Sequence, residues 1–448
     1  MEQAKAIKQV VLDGHSLTLP QLVAVARFGA EVALDPGARQ AMERSRAMAQ
    51  QLADSGRAAY GITTGFGDFA NVAVPEEMSS QLSTNLILSH CTGTGEPFSE
   101  EQVRGMMLLR ANALCVGLSG VRPVLVELLI RMLNAGVTPV VPQKGSLGAS
   151  GDLAPLSHIG LVLLGRGEAF YQGRRLPGRQ AMEQAGLCWL ETLVSKEGLG
   201  ITNGTCAMTS VGALHLYDAL HAAALADLIA SMTFTALGGQ LDAFQERMHT
   251  ARGQLGQIRV AANLRRLTAG CEMLEKSQGL RVQDAYALRC IPQVHGAVRD
   301  ALEFIRSRVD IELNAVTDNP LLFCEDGAVI SGGNFHGEPM ALPFDFLGIA
   351  CAELASISER RIERMVNSAL SCGLTPFLTT QGGLNSGFMI VQYSAASMVS
   401  ENKVLAHPAC VDSIPSSANQ EDIVSMGTTA ARKAGWILQN TLSVLAFE

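Results

Sequence analysis

One stretch of this chain could rewrite its own backbone: Gly145-Ser-Leu-Gly-Ala-Ser-Gly-Asp-Leu-Ala-Pro-Leu-Ser-His158. In Ala149-Ser150-Gly151 the first residue is small enough not to obstruct a ring closure. The third has no side chain, so its amide nitrogen can approach the Ala149 carbonyl in a geometry most residues cannot adopt. Closing that ring and losing the Ser150 hydroxyl would leave an exocyclic C=C beside an imidazolone, which is a strong electrophile. As plain structure the same stretch is a loop in which Asp152 caps a helix Leu153–Leu164.

Two other motifs carry less. Gly65-Phe-Gly-Asp-Phe-Ala70 fits a dinucleotide fingerprint, but helix-like residues precede it and an extended run follows, the reverse of the context that motif needs. Gly148-Ala-Ser-Gly-Asp152 breaks the G-x-S-x-G nucleophile elbow at its last place. No CxxC or HExxH pattern occurs, so no metal site is expected.

The Ala-Ser-Gly segment resembles the prosthetic-group loop of the ammonia-lyase and aminomutase family that includes histidine, phenylalanine and tyrosine ammonia-lyases. Further family-like stretches follow in matching order: Tyr60-Gly-Ile-Thr-Thr-Gly-Phe-Gly67, Thr202-Asn-Gly-Thr205, Gln283-Asp-Ala-Tyr-Ala-Leu-Arg289, Thr317-Asp-Asn-Pro320, Gly332-Gly-Asn-Phe335 and Gln420-Glu-Asp422. The resemblance spans essentially the whole chain. It implies a methylidene-imidazolone formed from Ala149, Ser150 and Gly151, with no external cofactor. It also implies the mainly α, long-helix fold of the fumarase/aspartase-like superfamily, with a smaller mixed N-terminal domain. A homotetramer that builds each active site from several subunits is implied as well, and a cytoplasmic location is expected by default because Met1-Glu-Gln-Ala-Lys5 has no apolar signal segment.

The same resemblance assigns roles. Tyr60 matches the base that removes a β-proton, though a phenol near pKa 10 needs neighbours that stabilise its anion. Arg289 matches the clamp on the substrate carboxylate, a task for a planar, always-charged fork. Asn203, Tyr286 and Gln283 match residues that hydrogen-bond the prosthetic group or the reacting substrate, and Phe335 one that packs beside it. Ser89-His90, Met389 and Glu421 stand at substrate-ring positions and look like the histidine type. An imidazole needs a donor and an acceptor, whereas an apolar ring would leave His90 and Glu421 buried and unpaired. Against this, Ile423 stands where histidine lyases usually carry His, and Thr202 and Ala207-Met208 look nearer the tyrosine pattern. L-histidine giving trans-urocanate is therefore the leading expectation. A tyrosine or phenylalanine lyase or aminomutase is the alternative, and an inactive helical scaffold is what remains if the ring never forms.

Elements must place these residues. Asp35-Pro36 reads as a helix start, Ser99 with Gln102 as a capping box before Val103–Cys115, and Pro123–Asn134 as a helix stopped by Gly136. Strands are few: Val137–Val141, a hairpin about Gln172-Gly173, and Ala328–Ile330. Five glycine-rich runs (60–67, 145–151, 198–204, 332–337 and 382–387) read as loops, since each Gly inside a helix costs about 1 kcal/mol. The expected division is 1–204, carrying the ring-forming loop, and 205–448, a long-helix bundle. The uncapped helix Gly435–Glu448 reads as an element cut partway, with the C-terminal part of the bundle missing.

Composition bounds the rest. Apolar residues make up 48% of the chain and charged residues only 17%, with 44 glycines and a net charge of −8. An acidic chain without a basic cluster is not expected to bind nucleic acid. A membrane span needs about 18 apolar residues in a row. Met365–Ser400 lacks charge but contains Pro376 and a Gln-Gly-Gly run, and Thr209–Leu237 holds Asp218 and Asp227. Low charge without a span predicts buried helical interfaces between copies. Ten scattered cysteines with no close pairs are expected to be reduced core residues.

Overall fold

The computed structural model describes residues 2–55, 61, 64–65, 72, 74–75 and 78–448. Helices dominate among these, the longest being Cys206–Ala236, Glu338–Val366, Ile291–Glu312 and Gly427–Phe447. β-structure is confined to small sheets of two or three strands. The expected hairpin is Glu168–Tyr171 with Arg174–Pro177, turning on Gln172 and Gly173, both with positive φ. Val137–Val141 shrinks to the two-residue edge strand Thr138–Pro139. The parallel pair Gln9–Leu12 with Glu31–Leu34 was not expected.

Local chemistry sets the helix ends where it was read to do so. Asp35 accepts from the Ala38 N–H at 2.9 Å to start Pro36–Asp54. Ser99 and Gln102 close a capping box on Glu100–Cys115, and Gly136 ends Pro123–Ala135 in the left-handed region. One expectation fails. Gly198 and Gly200 are not loop residues but lie in the helix Glu197–Thr202. A Cβ on Gly198 would stand 2.5 Å from the Ser83 carbonyl oxygen, and one on Gly200 2.6 Å from Val121 Cγ1. These glycines let a helix pack closely, and that contact outweighs their low helix propensity.

The chain forms two compact units. The first contains Met1–Leu214, Arg308–Leu342 and Ala409–Ala431, and the second His215–Ser307, Pro343–Pro408 and Arg432–Glu448. Instead of a single cut near residue 204, two later stretches return to the N-terminal unit. They bring Thr317–Pro320, Gly332–Phe335 and Gln420–Asp422 with them. The second unit's core includes Phe234, Phe244, Val260, Leu264, Leu274, Leu288 and Ile291. Cys206–Ala236 and Glu338–Val366 are long and apolar enough to cross a membrane, and 50% and 67% of their most apolar stretches are buried inside the fold.

Because the atom facing Gly198 belongs to backbone, a methyl group there cannot be absorbed by a rotamer change. Gly198→Ala should lower stability by about 1–3 kcal/mol, read as a shifted midpoint in chemical denaturation. An unchanged midpoint would contradict the close packing.

Candidate active site

The run 145–151 connects the strand Pro142–Lys144 to the helix Leu153–Leu163. It is pinned from several sides. The Leu147 carbonyl accepts from the Met426 N–H at 2.8 Å, and the Gly148 carbonyl from the Gly337 N–H and Ser425 Oγ, each at 3.1 Å. Beyond the triplet, the Asp152 N–H donates to the Gly204 carbonyl at 2.7 Å. Gly151 has φ +73°, and a Cβ on it would stand 2.2 Å from that same Gly204 oxygen. Only glycine fits there, on both conformational and steric grounds.

Asp152 occupies the N-cap position of Leu153–Leu163, but its side chain makes no capping bond to that helix, which corrects the simple reading of this residue. Its Oδ2 accepts from the Ala207 and Met208 N–H groups, each at 2.8 Å, at the start of Cys206–Ala236. Its Oδ1 accepts from Ser146 Oγ at 2.8 Å and from Thr428 Oγ1. Asp152 thus satisfies the free amides of a different helix. Full burial pushes its carboxyl above the ordinary range, and the four donors pull against that.

A cavity of about 1060 Å³ opens over the triplet. Ala149, Ser150, Asn203, Phe335 and Glu421 line it together with Ser89 and His90, so seven of the expected residues meet in the first unit. Glu421 Oε1 accepts from Ser150 Oγ at 2.8 Å, and its Oε2 from Ser416 Oγ at 3.0 Å. The Asn203 amide is satisfied with its nitrogen donating to the Ser150 carbonyl at 3.0 Å and its oxygen accepting from the Asn319 N–H at 3.0 Å. Ser89 and His90 end the helix Ser79–His90. His90 Nδ1 lies 2.9 Å from the Leu86 carbonyl, which can only accept, so Nδ1 carries the proton and Nε2 keeps its lone pair. Burial holds the His90 pKa below 6.5, against the pull of the Leu86 carbonyl and the Glu421 charge.

The comparisons with known proteins bear on what this arrangement serves. Residues 17–448 match the family model described as aromatic amino acid lyase. The chain belongs to that family. It is 55% identical to the histidine ammonia-lyase of Alkaliphilus oremlandii (strain OhILAs) and 57% identical to that of Caldanaerobacter subterraneus subsp. tengcongensis. Each match covers 99% of this chain and 87% of the relative. Among solved structures, histidine ammonia-lyase from Trypanosoma cruzi superposes with TM-score 0.90 at 40% identity, covering 98% of this chain and 83% of that one. Tyrosine aminomutase from Streptomyces globisporus gives TM-score 0.93 at 38% identity, covering 98% and 86%. The mainly helical, fumarase-like architecture expected from the motifs is thereby established.

Within this aromatic amino acid lyase fold, four expected residues lie elsewhere. Gln283, Tyr286, Arg289 and Met389 belong to the second unit and do not line the cavity. Leu288, buried in that unit's core, anchors the short helix Tyr286–Arg289. Arg289 Nη1 donates to Gln283 Oε1 at 2.6 Å, its guanidinium sits 4.7 Å from the Tyr286 ring centroid, and Tyr286 is 70% exposed. Met389 begins the helix Met389–Leu405. Tyr60 lies outside the described residues.

The sequence reading did not single out Asn319, which orients Asn203, or Ser416, Ser425 and Thr428, which hold Glu421, Gly148 and Asp152. Asn319 sits in a recognised motif, so a signal was available. For the three hydroxyls there was none, because a Ser or Thr near a helix start reads as a cap wherever it occurs.

His90, His158, His249 and His295 are all held below 6.5 with burial as the leading cause. Each stays neutral in the folded chain while its unfolded counterpart takes up a proton. Stability should therefore be flat above about pH 7 and fall as pH drops below 6.5, by at most about 1.4 kcal/mol per pH unit for each histidine. Thermal midpoints recorded from about pH 8 to pH 5 check this, and a rise on acidification would reverse the sign.

Proposed function

We propose that this protein eliminates ammonia from L-histidine to give trans-urocanate, using a methylidene-imidazolone formed from Ala149-Ser150-Gly151. The observation that carries the reading is the convergence of Glu421, Ser89 and His90 on Ser150 in one cavity. The 55% and 57% identity to two histidine ammonia-lyases supports it.

The residues present suit that group. The backbone is pinned on both sides of the triplet, the Gly151 nitrogen has no Cβ beside it, and the Asn203 amide polarises the Ser150 carbonyl. Once formed, the ring supplies an electrophilic carbon that turns the substrate amine into a good leaving group. Loss of the Ser150 hydroxyl also strips Glu421 Oε1 of its present donor. That oxygen then accepts the N–H of the substrate imidazole, a charge-assisted bond that a phenyl ring cannot return. Neutral His90 and the Ser89 hydroxyl complete the polar wall around the ring. Tyr60 takes the β-proton.

The carboxylate clamp comes from another copy of the chain. Arg289, half-buried, steered by Gln283 and stacked on the exposed Tyr286 ring, is presented by the second unit, as is the start of the helix carrying Met389. Leu225, Leu228 and Met232 leave an apolar stripe open on the helix Cys206–Ala236, 44–65% exposed. Such a stripe fits burial between subunits of a cytoplasmic homotetramer with shared sites. Nucleic acid and membrane have no part in this reading.

Intact mass of the folded protein should fall short of the sequence mass by two waters, and incubation with L-histidine should generate the ultraviolet absorbance of urocanate. Full mass with no product would leave only a helical scaffold. Glu421→Gln should keep the two-water loss yet lower kcat/KM for L-histidine about 10- to 100-fold, the worth of one charge-assisted hydrogen bond (~1.5–3 kcal/mol). Turnover of tyrosine surviving that change, with histidine ignored, would move the assignment to the tyrosine enzymes.

A further inference from the structure

Behind Asn203, on the side away from the cavity, lies a cation that the reading above does not use. Arg110 sits in the interior of the helix Glu100–Cys115 and is 1% exposed. Its Nη1 donates to the Asn203 carbonyl oxygen, while Nε and Nη2 have no hydrogen-bond partner among the described residues. No carboxylate pairs with it in an ion pair there. Withdrawing a guanidinium from water with so few partners is costly. An apolar side chain of similar volume would serve packing at least as well. Stability alone therefore gives no reason for an arginine at this position.

What Arg110 grips is the peptide between Asn203 and Gly204. Gly204 has φ +141°. A Cβ there would stand 2.7 Å from Arg110 Nη1 and 2.5 Å from Thr317 Oγ1, so nothing but hydrogen fits between the peptide and its backing. The next peptide, on the other side of the Gly204 Cα, carries the Gly204 carbonyl, which accepts from the Asp152 N–H and presses against Gly151. The Asn203 side chain is held independently. Its oxygen accepts from Asn319, whose own carbonyl accepts from Lys196 Nζ at 3.3 Å, and Lys196 is paired with Asp318 at 2.7 Å. Lys196 and Asp318 side chains are fully buried. Two buried cations thus converge on one asparagine, one on its backbone and one on the partner of its amide.

We propose that Arg110 is a positioning residue for formation of the ring: by fixing the Asn203 carbonyl it aims the Asn203 amide at the Ser150 carbonyl and holds Gly204 against Gly151. In the closure, the Gly151 nitrogen bonds to the Ala149 carbonyl carbon and gives its proton to that oxygen. The oxygen leaves as water with the proton of the Ser150 nitrogen. The Ser150 Oγ leaves as a second water with the Ser150 α-proton. The Asn203 N–H stabilises the charge that builds on the Ser150 carbonyl as that α-proton departs, provided the amide is preorganised. Arg110 touches none of the reacting atoms and acts through Asn203.

The inference rests on the ring-forming reading, and wild-type mass separates the two. If the folded wild-type chain has not lost two waters, the ring-forming reading fails first. With that loss present, the test is Arg110→Met and Arg110→Lys beside a stability control, Leu12→Ala, which removes a buried side chain on the strand Gln9–Leu12. The Arg110→Met variant should fold, yet keep a sizeable fraction of chains at unmodified mass. Its kcat per cyclised site should fall at least about tenfold while KM for L-histidine stays within about threefold. The Arg110→Lys variant keeps charge and a donor without the fork, so its kcat should fall about three- to tenfold. The control should lose thermal stability but cyclise completely and turn over as wild type does. Complete cyclisation with wild-type kcat in folded Arg110→Met overturns the proposal. Should the Arg110→Met chains fail to fold, an Arg110→Lys variant equal to wild type in mass and kcat overturns it instead.

Discussion

The buried carboxylate of Asp152 is the constraint on which the site depends. One side chain gathers the hydroxyl of Ser146 in the ring-forming loop, two amides at the start of Cys206–Ala236, and Thr428 in the first turn of Gly427–Phe447. These lie far apart in sequence, and all belong to the first unit. A carboxylate withdrawn from water is tolerable only if its lone pairs are filled, and here four donors fill them. The consequence is geometric. The loop cannot move away from the two helix starts without exposing a charge to an apolar interior, so the triplet between them is held.

The clamp also explains why the loop tolerates no bulk. Gly148 and Gly151 both have positive φ, and a Cβ on either would come within about 2 Å of its neighbour: Ser425 Oγ for Gly148, the Gly204 carbonyl for Gly151. The glycines of Glu197–Thr202 look similar in the sequence but do a different job. They bring a short helix close to the Ser83 backbone and the Val121 side chain, and that helix ends on Asn203. One group of glycines frees a nitrogen, and the other lets a hydrogen-bonding amide reach the cavity wall.

Polar groups in the first unit divide by depth. Those on the cavity wall, Glu421, Ser150 and His90, have hydroxyl or backbone partners that are readily exchanged. Those behind, Lys196, Asp318 and Arg110, bear on the backbone of Asn203 or on Asn319, the wall residue that holds its amide. Exchangeable partners suit a surface that meets substrate, while fixed ones suit a support. In the second unit, Asp284 accepts from the Gln240 N–H and from Arg281, fixing the approach to Tyr286–Arg289.

The sequence by itself determined the chemistry available at Ala149-Ser150-Gly151, the family, and those helix ends written locally, as at Asp35 and Ser99. Caps and turns involve neighbours within four residues, so their residue types suffice. It also named seven of the residues that line the cavity, because their motifs are distinctive. Only the tertiary structure decided that Asp152 serves a helix other than its own, and that Gly198 and Gly200 sit inside a helix. It likewise showed that stretches near residues 320 and 420 rejoin the N-terminal unit while Gln283, Tyr286, Arg289 and Met389 belong to the other. Each of these depends on a contact between residues distant in the chain. Short-range propensity and spacing hold no record of such contacts.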